Sequence, residues 1–285
     1  MGIMDIKLNV VNAFTQNKED GNPAGIVLDA DHLSSEQMIT ITAQTGFSEC
    51  AFIQQSKEAD FKVRFFSSKQ EVDLCGHATI AFFSLILSKL PSKKEGVRKF
   101  TQETRVGNLS VYCYPNGLIE MEQSSPKILD FNVEKDDIAK LLNISTSSIK
   151  GPLKIVSTGS PKLIIPIDSL KSLFDISPDL KGIAEYCTYS GARGFYPFTC
   201  QTLDQSSDFH ARQFNPLAGI NEDPITGIAA GALGSYIKYN GSNKSNFIIE
   251  QGYILQKFGK IFVNVEDKIF VGGYAVPISE RVLSV

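Results

Sequence analysis

The sequence predicts an α+β fold built from two similar halves, and three observations support this prediction. Short strand patterns and helix patterns alternate closely along the chain. Two helix patterns, at 78–90 and 228–239, are apolar on most sides, as expected of helices enclosed by the rest of a domain. The residues in front of these two helices can also be aligned with each other. Together these features indicate one arrangement of strand, loop and helix that is used twice.

The first half begins with strands and a well-marked helix. Asn22–Gly25 predicts a turn that leads into the second strand. Ser34 and Gln37 form a capping-box pattern that begins a helix, and Gly46 ends it. The helix at 78–90 is followed by a charged stretch at 90–96, which we predict to be a solvated loop. Strands are predicted at Ile6–Val11, Ile26–Leu28, Ser48–Gln54 and Phe61–Phe66.

The second half follows the same order of elements. An amphipathic helix is predicted at 133–142, and a helix of small residues at 228–239. Strands are predicted at 163–167, 209–214, 260–263 and 268–273.

A short internal repeat precedes the two apolar helices. The aligned pairs are Arg64 with Arg212, Glu71 with Glu222, and Gly76 with Gly227. The arginine lies 76 − 64 = 12 residues before the glycine in the first half and 227 − 212 = 15 in the second. Both copies therefore place a conformationally free residue at the start of an apolar helix.

Composition and charge exclude several classes of protein. The chain is 42% hydrophobic and 21% charged, which is typical of a soluble globular protein. No apolar run approaches the roughly 18 to 20 residues of a membrane span, and the start of the chain has no targeting pattern. The net charge of −3 gives no basic surface for nucleic acid. We therefore expect neither a membrane nor a nucleic acid as partner.

The cysteines and histidines argue against a disulfide framework and against a zinc site. The five cysteines are odd in number and without C-x-x-C spacing, and no two of the three histidines lie at helical ligand spacing. A reducing, cytoplasmic compartment is expected. Hydrolase, P-loop and dinucleotide motifs are absent from the sequence. If the protein is an enzyme, its side chains are expected to perform the chemistry without a metal or another cofactor.

Glu49 is the first candidate catalytic residue. In an extended segment its side chain shares one face with Phe47, Ala51 and Ile53, so a carboxylate lies within an apolar row. Loss of hydration favours the protonated form and raises the pKa of such a carboxyl, which suits a general acid/base near neutral pH. The alternatives are a solvent-exposed face, or a pairing of Glu49 with Arg64.

The starts of the two apolar helices are the other candidate positions. Gly76 allows a ligand to approach the backbone, the helix dipole favours an anion there, and His77 can donate a proton. In the second half, Asp223 precedes Gly227 in the same way. If both helix starts serve one substrate, their amides suit a carboxylate. The alternative is that His77 and Asp223 are ordinary local anchors of a helix start.

These motifs together closely resemble the PhzF (phenazine-biosynthesis-like) isomerase family. The most specific runs are Cys-Gly-His-Ala-Thr at 75–79 and Glu-Asp-Pro-x-Thr-Gly at 222–227. The further matching segments, in family order, are Phe14-Thr15, Gly21–Ala24, Gly46–Phe52, Arg64–Phe66, Glu71–Thr79, Gly159–Pro161, Arg212–Phe214 and Val271–Val276. The resemblance therefore covers nearly the whole chain.

The resemblance implies a fold similar to that of diaminopimelate epimerase. Each of two like domains would be a curled, mostly antiparallel sheet around a central helix, with the active site in the cleft between the domains. The domains are predicted at 1–124 and 125–275, and the final strand at about 276–285 is a candidate to rejoin the first domain. Family members are commonly homodimers and need no metal or organic cofactor, so the same is expected here.

The resemblance also implies roles for individual residues. Glu49 would be the general acid/base that moves a proton between carbons of a small carboxylated substrate, with His77 and Asp223 assisting. The amides at Gly76 and Gly227 would bind the substrate carboxylate, and Ser48 would contact the substrate.

Two positions depart from the family pattern. A serine is usual at the position of Ile228, so a hydroxyl donor is replaced here by an apolar, β-branched side chain among the substrate-binding residues. The histidine that is frequent two positions later is Ala230. The first change argues against the phenazine precursor as substrate and favours one that is less polar or placed differently.

Two other functions are compatible with the sequence. A racemase with two thiols would need a second cysteine where Thr226 lies, so only Cys75 fits that mechanism. A ligand-binding or partner-binding protein that keeps the fold without turnover is the second alternative, because a fold does not guarantee its chemistry.

Overall fold

The computed structural model describes residues 4–89 and 96–285, and the chain divides into two compact units. Unit 1 consists of Met1–Glu122 and Gly272–Val285, and unit 2 consists of Gln123–Val271. The predicted loop at 90–96 lies, except for Gly96, outside the described residues. Within the described residues the longest helix has 14 residues, short of the roughly 20 that a membrane-spanning helix needs.

Strands outnumber helices in both units. The elements of residues 4–122 are β1 (Asp5–Ala13), β2 (Asn22–Val27), α1 (Ser35–Thr45), β3 (Cys50–Gln54), β4 (Phe61–Phe66), β5 (Glu71–Val72), α2 (Gly76–Lys89), β6 (Arg98–Thr104), β7 (Gly107–Cys113) and β8 (Ile119–Glu122).

The remaining elements belong to unit 2, except that the last two residues of the strand Ile269–Gly273 and the whole of the final strand belong to unit 1. They are β9 (Lys127–Leu129), α3 (Lys135–Leu142), β10 (Lys154–Ser157), β11 (Pro161–Pro166), α4 (Leu170–Phe174), α5 (Leu180–Ser190), β12 (Phe195–Thr199), β13 (Phe209–Ala211), β14 (Gln213–Asn215), β15 (Ile220–Asp223), α6 (Gly227–Tyr239), β16 (Asn246–Gln251), β17 (Gly259–Val265), β18 (Ile269–Gly273) and β19 (Ala275–Ser284).

The two units use the same succession of strand pairings. In unit 1, β1–β2 is antiparallel, β2–β3 parallel, β3–β4 antiparallel, β4–β6 parallel and β6–β7 antiparallel. In unit 2, β10–β11, β11–β12, β12–β13, β13–β16 and β16–β17 alternate in the same order. The architecture is therefore an α+β fold of two similar domains whose sheets are mostly antiparallel, as the sequence predicted.

Each sheet curls around one buried helix. The helix α2 packs against β1, β2, β3, β8 and β19, and its residues from Gly76 to Phe83 are all buried. The helix α6 packs against β10, β11, β16 and β17, and its residues from Gly227 to Tyr236 are all buried. A helix enclosed on every side has no polar stripe, which explains the apolar pattern seen in both sequences.

The repeated arginines make the same contacts in the two units. The Arg64 guanidinium donates two hydrogen bonds of 2.8 Å to Glu71 and lies 4.9 Å from the ring centroid of Phe66. Arg212 donates bonds of 2.8 and 2.9 Å to Glu222 and lies 4.9 Å from the ring centroid of Phe214. The arginine-to-glycine spacing is three residues longer in unit 2 than in unit 1. A three-residue 3₁₀ turn at 216–218, between β14 and β15, corresponds in number to this difference.

Several predicted boundaries need correction. The predicted turn Asn22–Gly25 is part of β2, because all four of its residues, together with Ile26, pair with β1, and this pairing outweighs the local turn preference. The strand predicted at 209–214 is two strands that separate at Arg212, where the chain changes pairing partners. The strand predicted from Ser48 begins at Cys50, and the helix predicted at 78–90 is Gly76–Lys89.

Candidate active site

The position of Glu49 is determined by the end of α1. Gly46 adopts a left-handed conformation, with φ of 73°, that ends the helix. The chain then turns into β3, and Glu49 is the last residue before that strand. Its side chain is only 13% exposed. The predicted alternative of a solvent-exposed face is therefore wrong.

His77 is the second residue of α2 and approaches Glu49. Its side chain is 4% exposed, and Nε2 lies 3.7 Å from Oε2 of Glu49. This separation is within ion-pair distance but longer than a hydrogen bond. The two groups are close enough for a small movement, or one bridging atom, to connect them.

Cys75 completes a compact group with these two side chains. Its Sγ lies 3.4 Å from Nδ1 and 3.9 Å from Nε2 of His77. One donor atom from each of Glu49, Cys75 and His77 lies within 4.8 Å of the other two. The three residues therefore bring a carboxylate, a thiol and an imidazole together at one point of unit 1.

The sequence left open a pairing between Glu49 and Arg64. The carboxylate that the Arg64 guanidinium binds in two places is that of Glu71. The hydrogen bonds from Arg64 hold the pKa of Glu71 below its ordinary value, and they raise the pKa of Arg64. Arg64 thus has a structural partner of its own in the β4–β5 hairpin.

Ser48, the predicted substrate contact beside Glu49, has an unusual hydroxyl. Its Oγ is buried and has no hydrogen-bond partner among the described residues. Buried hydroxyls normally find a partner, so a polar group brought to this point would satisfy it.

The second predicted acid, Asp223, ends β15 in unit 2. The residue is 7% exposed, and its Oδ2 accepts a 2.5 Å hydrogen bond from Oγ1 of Thr226. Thr226 precedes α6, yet its side chain makes no capping bond to that helix. The Thr226 hydroxyl thus binds the carboxylate of Asp223, and it does not cap the first amides of α6.

Gln251 supports this arrangement from β16. Its Nε2 donates to the carbonyl of Asp223 at 2.8 Å, and its Oε1 accepts from the amide of Thr226 at 3.3 Å. The same Oε1 accepts from the hydroxyl of Tyr196 at 3.0 Å. Burial raises the pKa of Tyr196, so this hydroxyl keeps its proton and remains a donor.

Gly227 and Ile228 begin α6 and are both buried. The carbonyl of Gly227 accepts from Nε2 of Gln123 at 3.4 Å, and that of Ile228 accepts from Oγ1 of Thr158 at 3.2 Å. The buried side chain of Ile228 is apolar and offers no hydrogen bond at the first turn of α6.

The structure thus groups the predicted residues by unit. Glu49 and His77 come together in unit 1, while Asp223, Gly227 and Ile228 gather at the start of α6 in unit 2. Sequence reasoning missed the contact of Cys75 with the pair in unit 1, and the role of Gln251 in unit 2. Cys75 lies only two residues before His77, so its contact with the imidazole is local. Its closeness to Glu49 and the role of Gln251 depend instead on which segments the fold makes neighbours.

The chain was compared with known families and structures. The sequence profile of the family described as phenazine biosynthesis-like protein matches residues 11–281. An uncharacterised isomerase of Bacillus subtilis, YfhB, is 34% identical, and the match covers 96% of this chain and 97% of that protein. The uncharacterised isomerase YddE of Escherichia coli K12 is 31% identical, and the match covers 93% of this chain and 94% of that protein.

Solved structures give the same result for the fold. A PhzF-family phenazine biosynthesis protein of Bacillus anthracis superposes with a TM-score of 0.87 at 30% identity, covering 98% of this chain and 99% of the other. A hydroxyproline epimerase of Agrobacterium vitis superposes with a TM-score of 0.72 at 10% identity, covering 100% of this chain and 92% of the other. The second likeness concerns the fold alone.

Proposed function

The chain belongs to the phenazine biosynthesis-like protein family and is an isomerase, and we propose that Glu49 is its general acid/base. In this proposal Glu49 takes a proton from one carbon of a small carboxylated substrate and returns it to another. The bond to hydrogen at the first carbon is broken and one at the second carbon is formed. The double bonds between them shift, so no oxidant or reductant is needed.

The observation that carries this proposal is the pairing of Glu49 with His77. A general acid/base must be shielded enough to exchange its proton with substrate rather than with bulk water, yet accessible to that substrate. Glu49 is 13% exposed, and the imidazole 3.7 Å from its carboxylate can hold or position a proton during the transfer. His77 is thus proposed to assist Glu49.

The helix starts support a carboxylate on the substrate. The amides at the start of a helix and the helix dipole favour an anion. The helix α2 begins at Gly76, next to His77, and α6 begins at Gly227. We propose that these amides bind the substrate carboxylate, that Asp223 assists the proton transfer, and that Ser48 contacts the substrate through its hydroxyl.

Ile228 disfavours substrates that carry a polar group at the point where they contact this side chain. Its buried, apolar side chain offers no hydrogen bond at a position that we assign to substrate binding. An unmatched polar group on the substrate would lose its hydration there without compensation. We therefore propose a substrate that is apolar at the point facing Ile228, and not the phenazine precursor.

The cellular setting is part of the same proposal. All five cysteines lie within the described residues and none of them forms a disulfide there, which supports a reducing, cytoplasmic compartment. We propose a homodimer that works without a cofactor.

Exchange of hydrogen in deuterated water tests the chemistry directly. Wild type, Glu49→Gln and the exposed control Glu58→Gln would be incubated with cyclic dienyl acids, including dihydro-hydroxyanthranilate, and with amino acids. Deuterium incorporation is followed by mass spectrometry. We expect label in one substrate class with wild type and Glu58→Gln, and none with Glu49→Gln.

Two results would contradict this assignment. Equal labelling by wild type and Glu49→Gln would exclude Glu49 as the group that moves the proton. Wild type could instead bind a panel compound, as measured by calorimetry, and catalyse no deuterium exchange in it. That result would favour a protein that binds its ligand without turnover.

A further inference from the structure

Gln213 in β14 carries a buried acceptor that has no part in the proposed isomerisation by Glu49. The residue is 1% exposed. Its Nε2 donates to the carbonyl of Phe214 at 3.1 Å, while its Oε1 is buried and has no hydrogen-bond partner among the described residues. The bond to the carbonyl fixes the orientation of the amide, because exchanging its two ends would place two oxygens against each other. An acceptor that is buried and unpaired costs free energy, so its presence requires a reason.

The strand register places Gln213 in a row of polar side chains. Gln213 pairs with Asp223, and Phe195 pairs with Phe214, so Tyr196 lies opposite Gln213 on the other side. Residues that are paired directly project from the same face of a sheet. The row therefore contains a phenol, an amide and a carboxylate. The first and the last of these residues are linked through one glutamine of β16, whereas the amide in the middle is outside that network.

The equivalent row in unit 1 is apolar. There Ala51 pairs with Phe65, and Phe65 pairs with Val72. Phe65 and Gln213 each follow an aligned arginine of the repeat, and Val72 and Asp223 each follow an aligned glutamate. Apolar side chains thus satisfy the fold at these positions in unit 1. The sheet itself does not need an amide at position 213.

The residue before β12 leaves space for this amide. In unit 1 the residue directly before β3 is Glu49, and in unit 2 the residue directly before the equivalent strand, β12, is Gly194. A Cβ at Gly194 would lie 2.5 Å from Nε2 of Gln213. The amide therefore occupies space that a side chain at position 194 would need. Unit 2 has an amide beside the position that is equivalent to the proposed catalytic carboxylate.

We propose that Oε1 of Gln213 accepts a hydrogen bond from a hydroxyl or amino group of the substrate. This rests on the proposed function and adds a requirement to it. The small carboxylated substrate would be apolar where it contacts Ile228 and would carry an O–H or N–H donor where it contacts Gln213. A site with a buried acceptor rejects an analogue that lacks the donor, because the acceptor then stays unpaired. Gln213 thus determines specificity, and Glu49 moves the proton.

Pairs of compounds that differ in one donor group are the probe. Each amino acid and each hydroxylated or aminated cyclic dienyl acid of the panel is compared with the same acid without that group. Binding is measured by calorimetry, and exchange by deuterium incorporation. We expect wild type to prefer the member with the donor, and Gln213→Leu to reduce this preference roughly 10- to 100-fold. Comparing the two proteins isolates the contact, since other effects of the missing group are common to both.

The stability of the free protein separates a binding role from a structural one. Leucine removes the unpaired acceptor and restores an apolar side chain, as at Phe65 in unit 1. Gln213→Leu should therefore unfold at the urea concentration of wild type or at a higher one. Unfolding at a clearly lower concentration would show that the amide supports the fold and would overturn the proposal.

Gln102→Leu is the matched control. Gln102 in β6 is 0% exposed, and neither end of its amide has a partner among the described residues. It has no place in the proposed site, so Gln102→Leu should keep the preference of wild type. Equal preference in wild type and Gln213→Leu, or its loss in Gln102→Leu, would overturn the assignment to Gln213.

The two proposals fail separately. Donor-dependent binding that is lost in Gln213→Leu, in a wild type that exchanges no deuterium, would support the contact and count against the isomerisation by Glu49. Exchange by wild type at equal rates for both members of every pair would support the isomerisation and overturn the contact.

Discussion

Gly234 in α6 lies so close to Val263 in β17 that a Cβ at position 234 would be 2.7 Å from Cγ1 of that valine. Val263 is 2% exposed and stiff at χ1, so it cannot easily move aside. In Gly234→Ala the gain in helix propensity of about 1 kcal/mol is opposed by an overpacking cost of about 1 to 3 kcal/mol. We expect a net loss of about 1 kcal/mol in the free energy of unfolding, measured with urea.

A double-mutant cycle tests this explanation. In a Val263→Ala background the nearest clashing atom is gone, so Gly234→Ala should cost less than in wild type by more than about 0.5 kcal/mol. Equal costs in the two backgrounds would show that the contact with Val263 is not the reason.

The two repeated arginines differ in burial, and we predict that their removal differs in cost. Arg212 is 6% exposed and also donates to the carbonyls of Leu173 and Ile176. Arg212→Ala leaves these groups and Glu222 without the guanidinium, and should cost about 3 to 5 kcal/mol. Arg64→Ala, in a pair whose side chains are 20–21% exposed, should cost about 1 to 2 kcal/mol.

Urea-unfolding midpoints of the two variants decide the comparison. If Arg64→Ala loses as much free energy of unfolding as Arg212→Ala, the different burial of the two ion pairs does not determine their contributions to stability. Retention of wild-type stability by Arg212→Ala would contradict the role of Arg212 in tying the end of α4 to the β14–β15 hairpin.

The Arg64–Glu71 pair makes stability depend on acidity. The folded-state pKa of Glu71 is lowered by Arg64, so the unfolded chain takes up a proton at a higher pH than the folded one. The stabilisation from this group is fully present above its unfolded pKa of about 4.3 and is lost as the pH falls through its folded pKa. Glu71→Gln lacks this contribution, so its free energy of unfolding should fall less than that of wild type between about pH 6 and pH 3.

Glu266→Gln is the control for the loss of one negative charge, because Glu266 is exposed. Its free energy of unfolding at pH 6 should lie within about 0.5 kcal/mol of that of wild type, as is usual for an exposed substitution. If the free energy of unfolding of Glu71→Gln falls between pH 6 and pH 3 as much as that of wild type, the lowered pKa of Glu71 does not contribute to the loss of stability in acid.

Gln251 is predicted to act on the site through Asp223 and Thr226. Gln251→Leu removes the donor to the Asp223 carbonyl and the acceptor of the Thr226 amide and the Tyr196 hydroxyl. With these groups unpaired, we expect a loss of about 2 to 4 kcal/mol in the free energy of unfolding. Deuterium exchange in folded Gln251→Leu should fall at least about tenfold, as expected when a catalytic group is misplaced.

Gln251→Glu offers the matched comparison, since it keeps the one oxygen that accepts from Tyr196 and Thr226 and replaces the amide donor by a second oxygen. It should retain the bond from Tyr196 and lose the one to Asp223. If folded Gln251→Leu exchanges deuterium at the wild-type rate, the network supports the fold without positioning Asp223.

Elements marked by local chemistry were predictable from the sequence. Ser34 and Gln37 form the expected capping box, and Gly46 ends α1 in the expected left-handed conformation. The apolar character of α2 and α6 predicted their burial, because only a helix enclosed on all sides lacks a polar stripe. The repeat of arginine, glutamate and glycine predicted that a glycine begins the apolar helix in each half, and α2 and α6 begin at Gly76 and Gly227.

Features that depend on strand order were not predictable. The bonds among Tyr196, Gln251 and Asp223 join β12, β16 and β15, and no periodicity in any one strand indicates which others lie beside it. Likewise, Asn22–Gly25 has turn-forming residues but becomes a strand because β1 pairs with it. The closeness of Cys75 to Glu49 could not be read from the sequence either, because the two residues belong to separate segments of the chain.

The pairing of β1 with β19 has a consequence for protein synthesis. A ribosome makes Asp5–Ala13 early, but the partner strand Ala275–Ser284 only after the whole of Gln123–Val271. Unit 2 is continuous in sequence and can close as soon as it has left the exit tunnel, whereas unit 1 waits with one edge of β1 unpaired. The part of the chain that is translated first is thus the last to be completed, because β1 gains its second neighbouring strand only when residues 275–284 have been made.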